Sequence, residues 1–203
     1  MKTIRYLALG DSYTIGEGVE PASAFPAKLL ELLCPGADNG VPETVATTGW
    51  TTGELLAAMD ERNLTGPYDL VTLLIGVNNQ YRGYDFSVYR EEYSILLARA
   101  IHLAGGPGQV LAVSIPDYGI TPFGSEKSAS IDLELQAYNA EAARQCRLAG
   151  VEWADLYALS KNPDQLSDWL ADDQLHPSAL QYRLWAEALL PHTRTRLQML
   201  PEN

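Results

Sequence analysis

Few residues in this chain can do chemistry, and their spacing gives them a reading. Histidine occurs only at His102, His176 and His192. His102 falls among exposed-type positions of a predicted helix, and His192 follows Pro191 near the end of the chain. His176 is different, because Asp173-Gln174-Leu175-His176-Pro177 places a carboxylate three residues before the imidazole, just ahead of the last predicted helix. A tight turn there can supply a general base together with the group that fixes its tautomer and supports the imidazolium. Such a base needs a nucleophile, and Gly10-Asp11-Ser12 offers a hydroxyl just after the first predicted strand. Gly49 brings a backbone N–H with no side chain in the way, and Asn78 a carboxamide. With the N–H of Ser12 itself, these are the donors of an oxyanion hole, so the expected chemistry is attack on an acyl carbonyl.

The elements that must position these groups are short β-type runs alternating with longer helical patterns. Candidate strands are Ile4 to Leu9, Glu43 to Thr47, Leu70 to Ile75, Val110 to Ile115 and Val151 to Ala154. Apolar residues at helical spacing run through Tyr89, Tyr93, Leu96, Leu97, Ala100, Ile101 and Ala104, and again through Ile131, Leu135, Tyr138, Ala142, Cys146 and Ala149 before Gly150. Phe25, Leu29, Leu32 and Leu33 mark an earlier helix, and Thr51-Thr52-Gly53-Glu54 reads as a capping box opening another. A last helix carries Leu180, Leu184, Trp185, Ala188 and Leu189, with Pro191 expected to end or bend it. This alternation predicts a three-layer α/β/α domain around a five-stranded, mainly parallel sheet. Ligands of such sheets bind beyond the carboxyl ends of the strands. Ser12, Gly49 and Asn78 each lie two or three residues past a predicted strand end, so all should converge on one rim.

Taken singly, each piece has a plainer reading. Gly10-Asp11-Ser12 fits a turn with a capping side chain, Asn78 a loop residue bonding its own backbone, and Asp173 with His176 a surface pair. Together they stand in the right order and at corresponding points after successive strands. The chain then resembles the GDSL/SGNH hydrolase family, whose four blocks match Gly10-Asp11-Ser12, Gly49, Gly76-Val77-Asn78 and Asp173-Gln174-Leu175-His176. Tyr13 departs from the signature, where leucine is usual, which bears on packing beside Ser12 and not on any catalytic group. The resemblance implies a flavodoxin-like fold and substrates ranging from short esters and lysophospholipids to thioesters and acetylated sugars.

The expected activity is therefore hydrolysis of a small or short-acyl ester through an acyl-Ser12 intermediate, with His176 as acid and base and Asp173 orienting it. Two rivals stay open: acyl transfer to a sugar or other alcohol by the same triad, and a flavodoxin-like binding or signalling module with Asp11 as phosphate acceptor. The second leaves Asn78 and the Asp173/His176 pair without a role. Aromatic residues collect in the strand-following loops at Tyr13, Trp50, Tyr81, Tyr84, Tyr118 and Phe123. With Asn79, they either line a substrate pocket or pack the loops. Arg82 meets either an anionic substrate group or a salt-bridge partner.

Composition frames this reading. The 203 residues are 46% hydrophobic, enough for one substantial core, so a single domain over 1–203 is expected. With 14 Lys plus Arg against 26 Asp plus Glu, the net charge of -12 argues against nucleic acid and against stable docking on an anionic membrane. The two cysteines, Cys34 and Cys146, build neither a disulfide framework nor a zinc site, and Cys146 falls on a helix's apolar stripe. Gly10 to Thr14 lacks the second glycine of a Gly-x-Ser-x-Gly elbow, which disfavours an ordinary α/β-hydrolase; no metal or cofactor is expected, since Gly16-Glu17-Gly18 misses a dinucleotide fingerprint, no Walker motif occurs, and Asp173, His176 and scattered carboxylates have no recognisable ligand spacing. The N-terminal apolar run is too short for a signal peptide and no stretch reaches transmembrane length, so a cytoplasmic location is expected, with Leu197 to Asn203 frayed. Oligomeric state is not legible.

Overall fold

A computed structural model describes residues 4–36, 41–161 and 166–197. Strands β1 (Tyr6–Gly10), β2 (Glu43–Ala46), β3 (Leu70–Leu74), β4 (Val110–Val113) and β5 (Glu152–Ala154) pair in the order β2-β1-β3-β4-β5. All pairs are parallel, where the sequence pattern predicted a mainly parallel sheet. Every residue of β1, β3 and β4 is buried, which is why these runs are continuously apolar and show no alternation. The exception is Thr72 in β3, which shares a hydrogen bond of 3.0 Å with the Tyr6 hydroxyl.

The helices are α1 (Ser12–Ile15), α2 (Phe25–Leu33), α3 (Thr52–Glu61), α4 (Val77–Tyr81), α5 (Phe86–Ala104), α6 (Ser128–Ala149), α7 (Leu166–Trp169) and α8 (Ala179–Leu197). The connection from β1 steps one way to β2, and all later connections step the other way. Right-handed crossovers then put α2 on the opposite face from α3, α5 and α6. Accordingly α2 packs on α8, while α3 and α6 both pack on α5. The core is one cluster through both layers, in which Trp185 and Phe25 fill one side and Tyr89, Tyr93 and Tyr138 the other. Cys146 is fully buried there, 3.8 Å from the Tyr93 hydroxyl, and burial pushes its thiol up to about 11.

Local signals explain most boundaries. Thr51 accepts from the Glu54 N–H while the Glu54 carboxylate accepts from the Thr51 N–H at 2.8 Å, so the expected capping box opens α3. Gly105 and Gly150 end α5 and α6 in left-handed conformation. Pro191 does not end the last helix: α8 continues to Leu197, because the N–H that proline lacks would bond a turn around exposed Glu187 and Ala188. The short helices α1, α4 and α7 carry too few residues for any periodicity to announce them. Of the tail from Leu197 to Asn203, residues 198–203 lie outside the described residues. Among the described residues no helix is long and apolar enough to cross a membrane, and no group of three or more His, Cys, Asp or Glu could hold a metal ion.

Candidate active site

The strand order reverses at β1, whose neighbours β2 and β3 are reached in opposite directions, so the carboxyl ends of β1 and β3 frame the crevice typical of such folds. Ser12 leaves β1 as the first residue of α1, where its N–H has no intrahelical acceptor and, among the described residues, no other backbone partner. Two features force this abrupt strand-to-helix turn. Asp11 caps α1 by accepting from the Tyr13 N–H at 3.0 Å. Gly10 admits no side chain, since a Cβ would stand 2.1 Å from Thr14 Oγ1 and 2.4 Å from the Leu74 carbonyl oxygen. Asp11 is fully buried, and the loss of hydration lifts its carboxyl to about 7 against the partial relief of amides at Tyr13, Asp11 and Gly76. Buried in this way, it presents no oxygen to an incoming phosphoryl group.

His176 and Asp173 share a loop between α7 and α8 that is held at several points. Ala171 donates to the His176 carbonyl at 2.8 Å, Ser178 to the Trp169 carbonyl at 2.7 Å, and Leu170 bridges Pro177. One Asp173 oxygen, Oδ1, accepts from the N–H groups of Leu175 at 3.0 Å and His176 at 2.9 Å. These two bonds stabilise the left-handed conformation of Gln174, the only described non-glycine residue with positive φ, at 59°. The other oxygen, Oδ2, lies 2.6 Å from His176 Nδ1. Partial burial works to raise the Asp173 carboxyl, but the hydrogen bonds from His176 and Leu175 outweigh it and hold the group below its usual range. An ionised Asp173 accepts from Nδ1–H, which leaves Nε2 as the basic nitrogen of His176. Tyr13 buttresses the imidazole from below: its buried ring meets His176 edge-on at 5.8 Å and leans on Trp185 at 6.1 Å.

The loop after β2 makes a turn in which Trp50 donates to the Thr47 carbonyl at 3.2 Å and Gly49 takes φ +87°. A positive φ at the third position is the type II arrangement, which explains glycine there. Among the described residues nothing accepts from the Gly49 N–H. Helix α4 holds this loop through its side chains. Asn78 donates to the Trp50 carbonyl at 2.9 Å, which uses one of its two amide hydrogens. Asn79 accepts from the Thr52 N–H at 3.0 Å and donates to Thr52 Oγ1 at 2.7 Å.

Ser12, Gly49, Asn78 and His176 all line one cavity of about 160 Å³. Tyr13, Thr48, Val77, Tyr81, Tyr118, Phe123 and Leu175 complete its wall. Of the aromatic residues and Asn79 weighed for a substrate pocket, Tyr13, Tyr81, Tyr118 and Phe123 are brought together, and Trp50, Asn79 and Tyr84 are not among its lining. Trp50 is half-buried against the core, and Asn79 is fully buried with its amide spent on Thr52. Tyr81 and Phe123 stand 5.7 Å apart at the mouth and are exposed, whereas Tyr118 is buried behind them with its hydroxyl on Gln80 at 2.8 Å. Sequence reasoning did not find Thr48, Val77 or Leu175, apolar or small neighbours of the named residues with no chemical signature of their own. Arg82, left between two fates by the sequence, donates to the Gly49 carbonyl at 2.5 Å and pairs with Glu54 at 3.3 Å.

The strand order β2-β1-β3-β4-β5 is the flavodoxin-like arrangement of an α/β domain, and Ser12, Gly49, Asn78 and the carboxylate-held His176 meet in one cavity at its topological switch. The model of the GDSL-like lipase/acylhydrolase family matches residues 8–184, and the chain belongs to that family and is a GDSL-type ester hydrolase. Solved structures share the fold. A lipolytic protein of the G-D-S-L family from Veillonella parvula is 19% identical with a TM-score of 0.69, over 92% of this chain and 96% of that one. Axe2, an acetylxylan esterase from Geobacillus stearothermophilus, is 22% identical with a TM-score of 0.68, over 95% of this chain and 96% of that one. TesA is 17% identical with a TM-score of 0.71, over 95% of this chain and 99% of that one. No curated protein sequence matches the chain.

Proposed function

We propose that this enzyme hydrolyses short-acyl carboxylic esters through an acyl-Ser12 intermediate. One observation carries the reading: His176, held by Asp173 at 2.6 Å, lines the same cavity as Ser12, Gly49 and Asn78. In the first step His176 Nε2 takes the Ser12 proton as Oγ bonds to the ester carbonyl carbon. The developing oxyanion is received by the N–H groups of Ser12 and Gly49 and by the second Asn78 amide hydrogen. Collapse breaks the bond to the alcohol oxygen, which leaves with the proton from His176. Water then attacks the acyl-Ser12 carbonyl, again losing its proton to His176, and releases the acid and the free serine.

Cavity size supports the short acyl chain. The cavity is small, about 160 Å³, and exposed Tyr81 and Phe123 flank its mouth, which favours a short acyl group over a long chain. The experiment is labelling by a fluorophosphonate, in wild type and Ser12→Ala, followed by rates on p-nitrophenyl esters of increasing acyl length. Wild type should label and Ser12→Ala should neither label nor turn over while keeping its melting temperature. Acetate and butyrate should be preferred to octanoate and longer chains. Full activity in Ser12→Ala would remove the serine mechanism, and a preference for long chains would remove the substrate assignment.

A further inference from the structure

Helix α4 reaches the loop carrying Gly49 at three successive points. Arg82, the residue closing α4, bonds the Gly49 carbonyl, Asn78 bonds the Trp50 carbonyl, and Asn79 bonds both the N–H and the hydroxyl of Thr52. Asn79 and Thr52 are buried, so their link is an anchor. Arg82 acts at the loop's freest residue: Gly49 has no side chain to pack and its N–H has no partner among the described residues. The guanidinium lies against that glycine, with Nη2 3.5 Å from where a Cβ would stand. The guanidinium is itself held. Its Nη1 faces both Glu54 oxygens, at 3.4 and 3.3 Å, and the same carboxylate closes the Thr51 capping box at 2.8 Å, so the α3 N-terminus fixes the arginine. Arg82 is not among the residues lining the cavity, and its guanidinium faces the Gly49 carbonyl and Glu54 instead.

We infer that Arg82 is a positioning residue that aims the Gly49 N–H at the oxyanion, through a charge-assisted bond to the Gly49 carbonyl braced by Glu54. The inference rests on the ester-hydrolase reading of the cavity. Without Arg82 the Gly49–Trp50 peptide is tethered only at Trp50, and the Gly49 backbone turns between two planes. The N–H then swings, and a donor that must be fixed before the reaction to be effective loses its aim. Substrate binding before oxyanion formation does not draw on this donor, so the loss falls on turnover.

The test compares wild type, Arg82→Ala and Arg82→Lys by kcat and KM on p-nitrophenyl acetate, by melting temperature and by the amide proton and nitrogen resonance of Gly49. Losing an oxyanion donor outright costs about a hundredfold or more in kcat, so misaiming one in Arg82→Ala should cost about tenfold, with KM and melting temperature little changed. The Gly49 amide resonance should move in Arg82→Ala, and Arg82→Lys, which keeps one donor in reach, should recover most of the rate. Added guanidinium should restore part of the Arg82→Ala rate. An unmoved Gly49 resonance, or unchanged kcat, overturns the inference. So does a KM effect confined to esters carrying an anionic group, which would make Arg82 a substrate contact. Should wild type neither label nor turn over, the hydrolase reading falls by itself, while the Gly49 resonance in Arg82→Ala still reports whether the arginine holds the turn.

Discussion

Replacing Asp173 separates two jobs that one carboxylate performs. Its Oδ2 faces His176 Nδ1 at 2.6 Å, and its Oδ1 accepts two backbone N–H groups at 3.0 and 2.9 Å. In Asp173→Asn the amide oxygen takes over the two backbone donors and the amide nitrogen faces Nδ1. Flipping the amide would relieve one mismatched donor at the expense of two, so the nitrogen stays beside the imidazole. A donor there requires Nδ1 to accept, which moves the proton to Nε2 and removes the base. Turnover should fall by about 10⁴, the effect of the wrong tautomer in a triad, while stability stays within about 0.5 kcal/mol. Asp173→Ala has the opposite balance. Besides the bond to His176 it loses the two backbone bonds to Oδ1, together worth about 1–2 kcal/mol after discounting for the carboxylate's partial exposure, and so about 2–8 °C of melting temperature in a domain of this size. Asp173 is 39% exposed, so water reaches Nδ1 in its absence and the imidazole keeps the productive tautomer part of the time. Its loss of turnover should be smaller, on the order of 10²–10³. Rates on p-nitrophenyl acetate and thermal melts of both variants decide the matter. An Asp173→Asn enzyme faster than Asp173→Ala, or within about tenfold of wild type, would refute the tautomer argument.

Two further outcomes follow from the turn below Ser12. Burial raises the Asp11 carboxyl to about 7, above the ordinary value, so the native state binds a proton that the unfolded chain has released between about pH 4 and 7. That contribution to stability is complete below pH 4 and fades as pH rises through 7. Asp11→Asn, which still caps α1, should therefore gain on wild type as pH rises from 4 to 8, by at most about 4 kcal/mol; parallel melting curves over that range would contradict the assignment. Gly10→Ala places a Cβ 2.1 Å from Thr14 Oγ1 and 2.4 Å from the Leu74 carbonyl oxygen. It should cost about 2–3 kcal/mol or more in urea unfolding, and Gly10→Ala with Thr14→Ala should not recover, because the Leu74 backbone cannot yield.

The sheet was legible because β1, β3 and β4 are buried on both faces and therefore read as unbroken apolar runs. Strand ends shifted by a residue or two: Gly10 pairs within β1, and Ile75 lies outside β3. The capping box at Thr51 and Glu54 was legible too, since both partners lie within one turn. The strand order β2-β1-β3-β4-β5 and the passage of α8 through Pro191 were not, because they depend on neighbours far along the chain and on which side of a helix meets solvent.

By itself the sequence determined which groups are available. Three histidines, one of them three residues after an aspartate, single out His176 as the candidate base for a serine after the first strand. Residue type and local spacing carry that information because a carboxylate and an imidazole on one turn have little choice but to face each other. Only the tertiary structure decided how neighbouring polar side chains divide their work. Asn78 reaches the cavity while Asn79 is buried on Thr52, and Arg82 turns from the solvent to the Gly49 carbonyl. Adjacent residues on one short helix point in different directions, and what each meets there comes from the loop after β2 and the start of α3, 27 residues or more away in the chain. A hydrogen bond between such distant partners leaves no local pattern to read.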